Sequence, residues 1–259
     1  MQKILVIQTA FIGDVVLATG LLEKLHIQWP DASLDILVRK GNESLFDQHP
    51  FIHEVLVWNK RSAKYRHLFG LIRQIRGNRY DKVINVQRFA ATGLLTALSK
   101  AKQTIGFDKN PFSFLFSDIV RHIVSEGGQT MHETERNHQL IRQFTDDKAA
   151  KPKLYPTQSD EAFVAHWKQP PYICIAPASV WFTKQFPADQ WTTLIKALPQ
   201  DNTVYLIGAP GDHALCEKIR SQSNHLPVIN LAGQLNFLQS AALLKDAMMN
   251  YVNDSAPMH

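Results

Sequence analysis

The sequence predicts an α/β fold of two doubly wound units. Three observations carry that expectation. Short apolar runs rich in β-branched residues alternate with stretches of helical periodicity from the first residues onward. A polar, proline-containing segment at residues 146–160 breaks the pattern. The same alternation then restarts. Strands that alternate with helices pair in parallel and carry helices on both sheet faces.

Ahead of the break, strands are expected at 3–8, 34–38, 54–58 and 82–86, and helices at 13–28 and 65–76. In the second helix Leu68, Leu71, Ile72 and Ile75 share one face. Behind the break, strands at 172–176, 203–207, 228–230 and 249–253 alternate with helices at 188–197, 212–221 and 236–244. The expected domains are therefore 1–150 and 151–259, joined by a linker. At roughly 150 residues per domain, 259 residues suit one large or two modest domains. The last residues read as a strand end, a turn and a helix start with no helix behind it, so the second domain is expected to be incomplete.

Hydrophobic residues make up 45% and charged residues 20% of the chain, which excludes a disordered or fibrous protein. No apolar run reaches the roughly 20 residues of a membrane-spanning helix. The opening apolar stretch is too short for a signal peptide and reads as a strand. Two cysteines, Cys174 and Cys216, suggest no disulfide framework, so a cytoplasmic location is expected.

The net charge of +5 is uneven. Residues 1–150 hold 20 basic and 15 acidic side chains, whereas 151–259 hold 8 of each. Residues 60–88 alone carry nine cations, among them Lys60, Arg61 and Arg88, against the single acid Asp81. Such a run attracts anions: a phosphorylated or carboxylated substrate, a membrane surface or nucleic acid. No nucleic-acid-binding module accompanies it, so nucleic acid is not expected.

Ligands in doubly wound folds sit at the carboxyl ends of strands. Four strand-to-helix loops therefore matter. In Thr9-Ala10-Phe11-Ile12-Gly13-Asp14, Gly13 is expected to permit a tight turn. Asp14 would either cap the following helix or accept a proton from a substrate hydroxyl. Residues 176–187 offer small residues, the hydroxyls of Ser179 and Thr183, and the charge of Lys184 for a phosphate, or simply a solvated lysine. Asp212, after Gly208-Ala209-Pro210-Gly211, would cap a helix or hold a ribose. Asp254, before Ser255-Ala256-Pro257, would orient a donor hydroxyl or cap. Gly-x-Gly-x-x-Gly, Gly-x-Ser-x-Gly, His-Glu-x-x-His and Asp-x-Asp are all absent from the sequence, so neither a metal nor a cofactor is expected.

In order and spacing these segments resemble glycosyltransferase family 9, the ADP-heptose:lipopolysaccharide heptosyltransferases. The opening strand with its Gly13-Asp14 pair, Ile84-Asn85-Val86-Gln87-Arg88, Ile105-Gly106-Phe107, His132-Glu133-Thr134-Glu135-Arg136-Asn137, Lys184-Gln185-Phe186-Pro187 and Asp254-Ser255-Ala256-Pro257-Met258-His259 carry the likeness. One departure is Ala256, where the family usually has Gly; another is the absence of residues after His259 that would complete the second domain.

The resemblance implies a GT-B architecture, two Rossmann-like domains facing a cleft. It implies inverting, metal-independent transfer of a heptose or related sugar from an ADP-sugar to a hydroxyl of an anionic lipopolysaccharide core. Asp14 would be the general base and Lys184 would stabilise the leaving diphosphate. Ser179, Thr183, Lys184, Asp212, Asp254, Ser255, Ala256 and Pro257 would hold the nucleotide sugar. Gly13, Lys60, Arg61, Gln87 and Arg88 would face the acceptor, with peripheral contact to the inner membrane. The competing reading is a non-catalytic two-lobe sugar- or nucleotide-binding protein.

Overall fold

A computed structural model describes residues 1–60, 64–126, 129–169, 171–224 and 227–259. The chain divides into two compact units, Met1–Lys153 and Leu154–His259.

The first unit is wound on β1 (Lys3–Ile7), α1 (Ile12–Gln28), β2 (Ser33–Arg39), β3 (Ile52–Trp58), α2 (Lys64–Asn78), β4 (Lys82–Asn85), α3 (Ala90–Ala97), β5 (Gln103–Phe107) and β6 (Asp118–Val120). A small hairpin, β7 (Ser125–Glu126) with β8 (Gln129–Thr130), and α4 (Glu133–Gln139) follow. The six-stranded sheet has the order β3-β2-β1-β4-β5-β6, and its pairings are parallel. Ile4, Leu5, Val6 and Ile7 of β1 are fully buried, as a strand covered on both faces requires. On one face, Leu68, Leu71, Ile72 and Ile75 of α2 join Leu5, Ile7, Leu37, Leu56 and Trp58 in one apolar cluster.

The sheet order reverses direction between β1 and β4. At such a switch the two helices leave on opposite sides and open a crevice beyond the carboxyl ends of the strands. The loops after β1 and β4 border it.

The second unit comprises α5 (Gln158–Val164), β9 (Tyr172–Ala176), α6 (Ala188–Ala197), β10 (Thr203–Leu206), α7 (His213–Ser223), β11 (Val228–Asn230), α8 (Phe237–Lys245) and β12 (Met249–Val252). Its parallel sheet runs β11-β10-β9-β12, so here the switch lies between β9 and β12. Apolar clusters cover both faces, with Ile173 and Ile175 on one and Tyr172, Cys174 and Ala176 on the other. Cys174 and Cys216 are buried thiols, each pushed up to about 12 chiefly by that burial.

Two expectations need correction. The boundary between the units falls inside the segment read as a linker, but the first half of that segment is packed onto α1: Lys24 pairs with Asp146, and Lys153 N–H donates to Thr19 Oγ1 at 2.9 Å. A Cβ on Gly20 would stand 2.6 Å from the Ala150 carbonyl oxygen, so only glycine lets the segment lie this close. Polarity and prolines mark this stretch as irregular, but its hydrogen bonds are made to a helix. Its second half enters α5, where Thr157 and Asp160 form a reciprocal cap.

Gly13 makes no tight turn. It sits in the first turn of α1, and among the described residues the glycines with positive φ are Gly41 and Gly233.

Candidate active site

At the β1–β4 switch, Asp14 is the third residue of α1. Its Oδ2 accepts from Phe11 N–H at 3.1 Å, and Oδ1 takes no hydrogen bond among the described residues. Phe11 has no acceptor of its own, so the carboxylate serves as the cap of α1. The capping role is thus made with one oxygen.

Gln8, the residue after β1, is fully buried and links the loops. Its Nε2 donates to the Asp14 carbonyl at 3.3 Å. Its Oε1 accepts from Ala10 N–H at 3.3 Å and from Gln87 Nε2. Gln87 is itself buried, and its Oε1 has no hydrogen-bond partner among the described residues. A Gln8–Gln87 bridge therefore ties the β4 loop to the start of α1. In the sequence Gln8 is a lone amide at the end of an apolar run, which carries no pattern that marks it.

Lys60, after β3, reaches the same end of the sheet. Its Nζ donates to the Thr9 carbonyl at 2.7 Å and to Thr9 Oγ1 at 3.0 Å. Arg88 is exposed after β4. Arg61 lies outside the described residues. The basic run at 60–88 does not form one patch, because it passes from the carboxyl end of β3 through α2 to the amino end of β4 and back. Lys82, for instance, begins β4 at the far end, where it lies over Phe144 at 4.8 Å.

A second carboxylate joins Asp14. Helix α4 is capped reciprocally: Thr134 N–H donates to His132 Nδ1 at 3.3 Å, and His132 N–H donates to Glu135 Oε2 at 3.1 Å. This fixes Glu133, which pairs with Arg136 at 3.3 Å. Burial first, and then the charge of Asp14, hold the Glu133 carboxyl above its ordinary range; Arg136, His132 and Arg88 pull the other way. That α4 packs on α1 has no signal in the sequence.

At the β9–β12 switch of the second unit, Lys184 ends a 3-10 turn and lies 2.6 Å from an Asp254 oxygen. Ser179 Oγ donates to the Asp254 carbonyl at 3.4 Å, and Gln185 Nε2 donates to the Ser179 carbonyl at 2.7 Å. The keystone is Asn253, which sequence reading missed. Its Oδ1 accepts from Phe186 N–H at 3.1 Å and its Nδ2 donates to the Pro177 carbonyl at 2.6 Å. One buried amide thus clamps both ends of the Lys184 loop to β12. Ser255 and Ala256 are partly exposed, and Thr183 and Pro257 fully so.

Asp212 belongs to a different loop, after β10. Its Oδ2 accepts from Ala209 N–H at 2.8 Å, and a Cβ on Gly208 would stand 2.9 Å from Asp212 Cβ. The carboxylate therefore caps its turn, folded over a glycine that makes room for it.

Chemically, the first unit presents an oxygen base at a helix start, in a loop with buried amide support. The second presents a cation and a carboxylate on adjacent loops with exposed hydroxyls nearby. The model of glycosyltransferase family 9 (heptosyltransferase) matches residues 68–259. Lipopolysaccharide heptosyltransferase 3 of Escherichia coli is 27% identical over 268 residues, covering 96% of this chain and 77% of that protein. Among solved structures, E. coli ADP-heptose lipopolysaccharide heptosyltransferase II superposes with a TM-score of 0.82 at 20% identity, over 100% of this chain and 81% of that one. An E. coli heptosyltransferase with ADP-2-deoxy-2-fluoro heptose gives a TM-score of 0.72 at 20% identity, over 98% and 84%. The two α/β units are thus of the GT-B heptosyltransferase type.

Proposed function

The chain belongs to glycosyltransferase family 9, and we propose that it moves a heptose from ADP-heptose to a hydroxyl of the lipopolysaccharide core, with inversion and without a metal ion. The observation that carries this reading is the convergence of its motif residues on the two topological switch points. Lys184 and Asp254, far apart in sequence, meet beyond β9 and β12, and Asp14 stands beyond β1.

In this reading the first unit takes the acceptor and the second the nucleotide sugar. Asp14, through its Oδ1, removes the proton of the acceptor hydroxyl as that oxygen attacks the anomeric carbon. The bond to the ADP oxygen breaks on the opposite face. Lys184 then meets the charge that develops on the diphosphate, with the hydroxyls of Ser179, Thr183 and Ser255 and the backbone of Ala256 and Pro257 around it. Asp254 holds the Lys184 ammonium in place before the diphosphate arrives. Asp212 would face the ribose. Gln87, Arg88, Lys60 and Arg61 would meet the anionic acceptor, beside Gly13. The lack of Asp-x-Asp supports charge neutralisation by protein groups.

Among the described residues no helix is long and apolar enough to cross a membrane. We place the reaction at the cytoplasmic face of the inner membrane, where the acceptor would be met peripherally. The test is ADP release and acceptor mass with purified protein, ADP-heptose and a heptose-deficient core acceptor. A gain of one heptose per acceptor is expected. Tight capture of free sugar with no ADP affinity and no product would overturn the reading.

A further inference from the structure

The carboxyl end of the first sheet carries an apolar surface that the proposed chemistry does not use. Phe89, after β4, is 64% exposed. Phe114 and Leu115, after β5, are 71% and 52% exposed. Exposed aromatic side chains in neighbouring loops call for a partner.

These side chains are held outward by their own loops. Asn110 is buried, and its Nδ2 donates to the carbonyls of both Gln87 and Phe89 at 3.1 Å. Its Oδ1 accepts from Phe112 N–H at 3.0 Å, and its carbonyl accepts from Ser113 N–H at 2.9 Å. One amide thus binds the β4 loop to the β5 loop. Phe116 anchors the far end: its ring is buried over Gly106, where a Cβ would stand 2.5 Å away. With Phe116 inside, Phe114 and Leu115 are left facing solvent.

The surroundings are basic. Arg88, Lys109 and Arg121 are exposed, and none makes a hydrogen bond or ion pair among the described residues. Two acids lie in the same segment, Asp108, which accepts from His122 N–H at 2.9 Å, and Asp118, which accepts from Gln103 Nε2 at 2.8 Å, so the three cations outnumber them. Apolar tips ringed by unpaired cations complement the interface of an anionic lipid layer.

We propose that the Phe89 and Phe112–Leu115 loops are the face on which this chain docks to an anionic membrane surface. The proposal rests on the reading that the Asp14 end of the sheet receives a lipid-borne acceptor. The geometry suits it. Strands lie roughly 4.8 Å apart, so β5 is about 10 Å from β1 across the sheet. Loops at the same end therefore put the lipid surface beside the base rather than behind it.

The test uses vesicles of phosphatidylglycerol and of phosphatidylcholine without any acceptor. The protein should co-sediment with the anionic vesicles. Phe114→Ser with Leu115→Ser, and separately Lys109→Glu with Arg121→Glu, should each lower that partition about tenfold, from the lost apolar insertion and the reversed charge. Phe69→Ser, removing an exposed ring of α2, should leave it unchanged. Phe114→Trp should be quenched by lipids brominated along their acyl chains, which decides the matter if the serine variant fails to fold. Absence of vesicle binding, equal binding by the variants or an unquenched Trp would overturn the proposal. Partition needs no turnover, so loss of heptose transfer with intact docking would instead count against the assigned reaction. Transfer to a deacylated, soluble acceptor should be equal for wild type and Phe114→Ser with Leu115→Ser.

Discussion

Lys184 Nζ lies 2.6 Å from an Asp254 oxygen, so charge joins the tips of the loops that follow β9 and β12. Both side chains are about half exposed, and such pairs contribute roughly 0–1 kcal/mol to stability. Breaking the pair should therefore cost little stability, so a loss of activity on doing so would report on the proposed chemistry. Lys184→Ala should leave the melting temperature nearly unchanged and slow transfer about a hundredfold, or about 3 kcal/mol, as expected for a lost stabiliser of developing charge. Initial rates with saturating ADP-heptose measure this; an unchanged kcat would remove Lys184 from the chemistry.

Asp14 has one duty in the fold and, in the proposed reaction, a second that can be separated from it. One oxygen caps α1 through Phe11 N–H, and an amide oxygen can do the same. Asp14→Asn should thus fold with wild-type stability and bind ADP normally, yet lose about 10²–10⁴ in rate because no base remains. Asp14→Ala should lose the rate and, in addition, about 0.5–1 kcal/mol of stability from the missing cap. Retained turnover in the asparagine variant would assign Asp14 to the helix alone.

What could be read from the sequence follows from periodicity. The strands expected at 3–8, 34–38, 54–58 and 82–86, and the four of the second unit, are short apolar runs, so their positions and the loops after them were legible, whereas β5 and β6 were not among the expected strands. The partner of helix α4 was not legible, because packing of Glu133 toward Asp14 is a tertiary fact. Asn253 and Gln8 were invisible for another reason. A single amide at a strand end carries no pattern, and its role as a clamp exists only once a second loop has been brought to it. The break between the units was legible at 146–160, but not that 146–153 packs on α1, because composition does not reveal hydrogen bonds made to a helix.

That stretch gives a sharp stability contrast. Gly20→Ala would drive its methyl to 2.6 Å from the Ala150 carbonyl, so it should cost about 1–3 kcal/mol by overpacking. Gly70 lies in α2 with nothing within 4 Å of an added Cβ. Gly70→Ala should therefore stabilise by about 0.5–1 kcal/mol. Urea midpoints with unchanged m-values would measure both; equal effects of one sign would show that the 146–153 segment does not press on α1.

Acid should weaken the first unit through His49. Burial, then the neighbouring charges of His26 and Lys153, pull this imidazole down from 6.5 to about 4. Its ring packs edge-on to Phe51 at 4.5 Å and near Phe46 at 5.7 Å, an aromatic setting that favours the neutral form. The folded value lies below the unfolded one, so the unfolded chain binds more protons between them. Stability from the neutral imidazole is complete above about 6.5 and is lost as the pH falls toward 4. His122 and His138 are shifted in the same direction, also chiefly by burial, so they add to the slope. Replacing the ring by an uncharged one, His49→Phe, should flatten the pH dependence of the unfolding free energy in this window by on the order of 2 kcal/mol, after allowance for partial solvent screening. Urea titrations at pH 7, 5.5 and 4.5 measure it: a slope that His49→Phe leaves intact would mean that the acid sensitivity arises elsewhere, and a stability that rises on acidification would reverse the sign argued here.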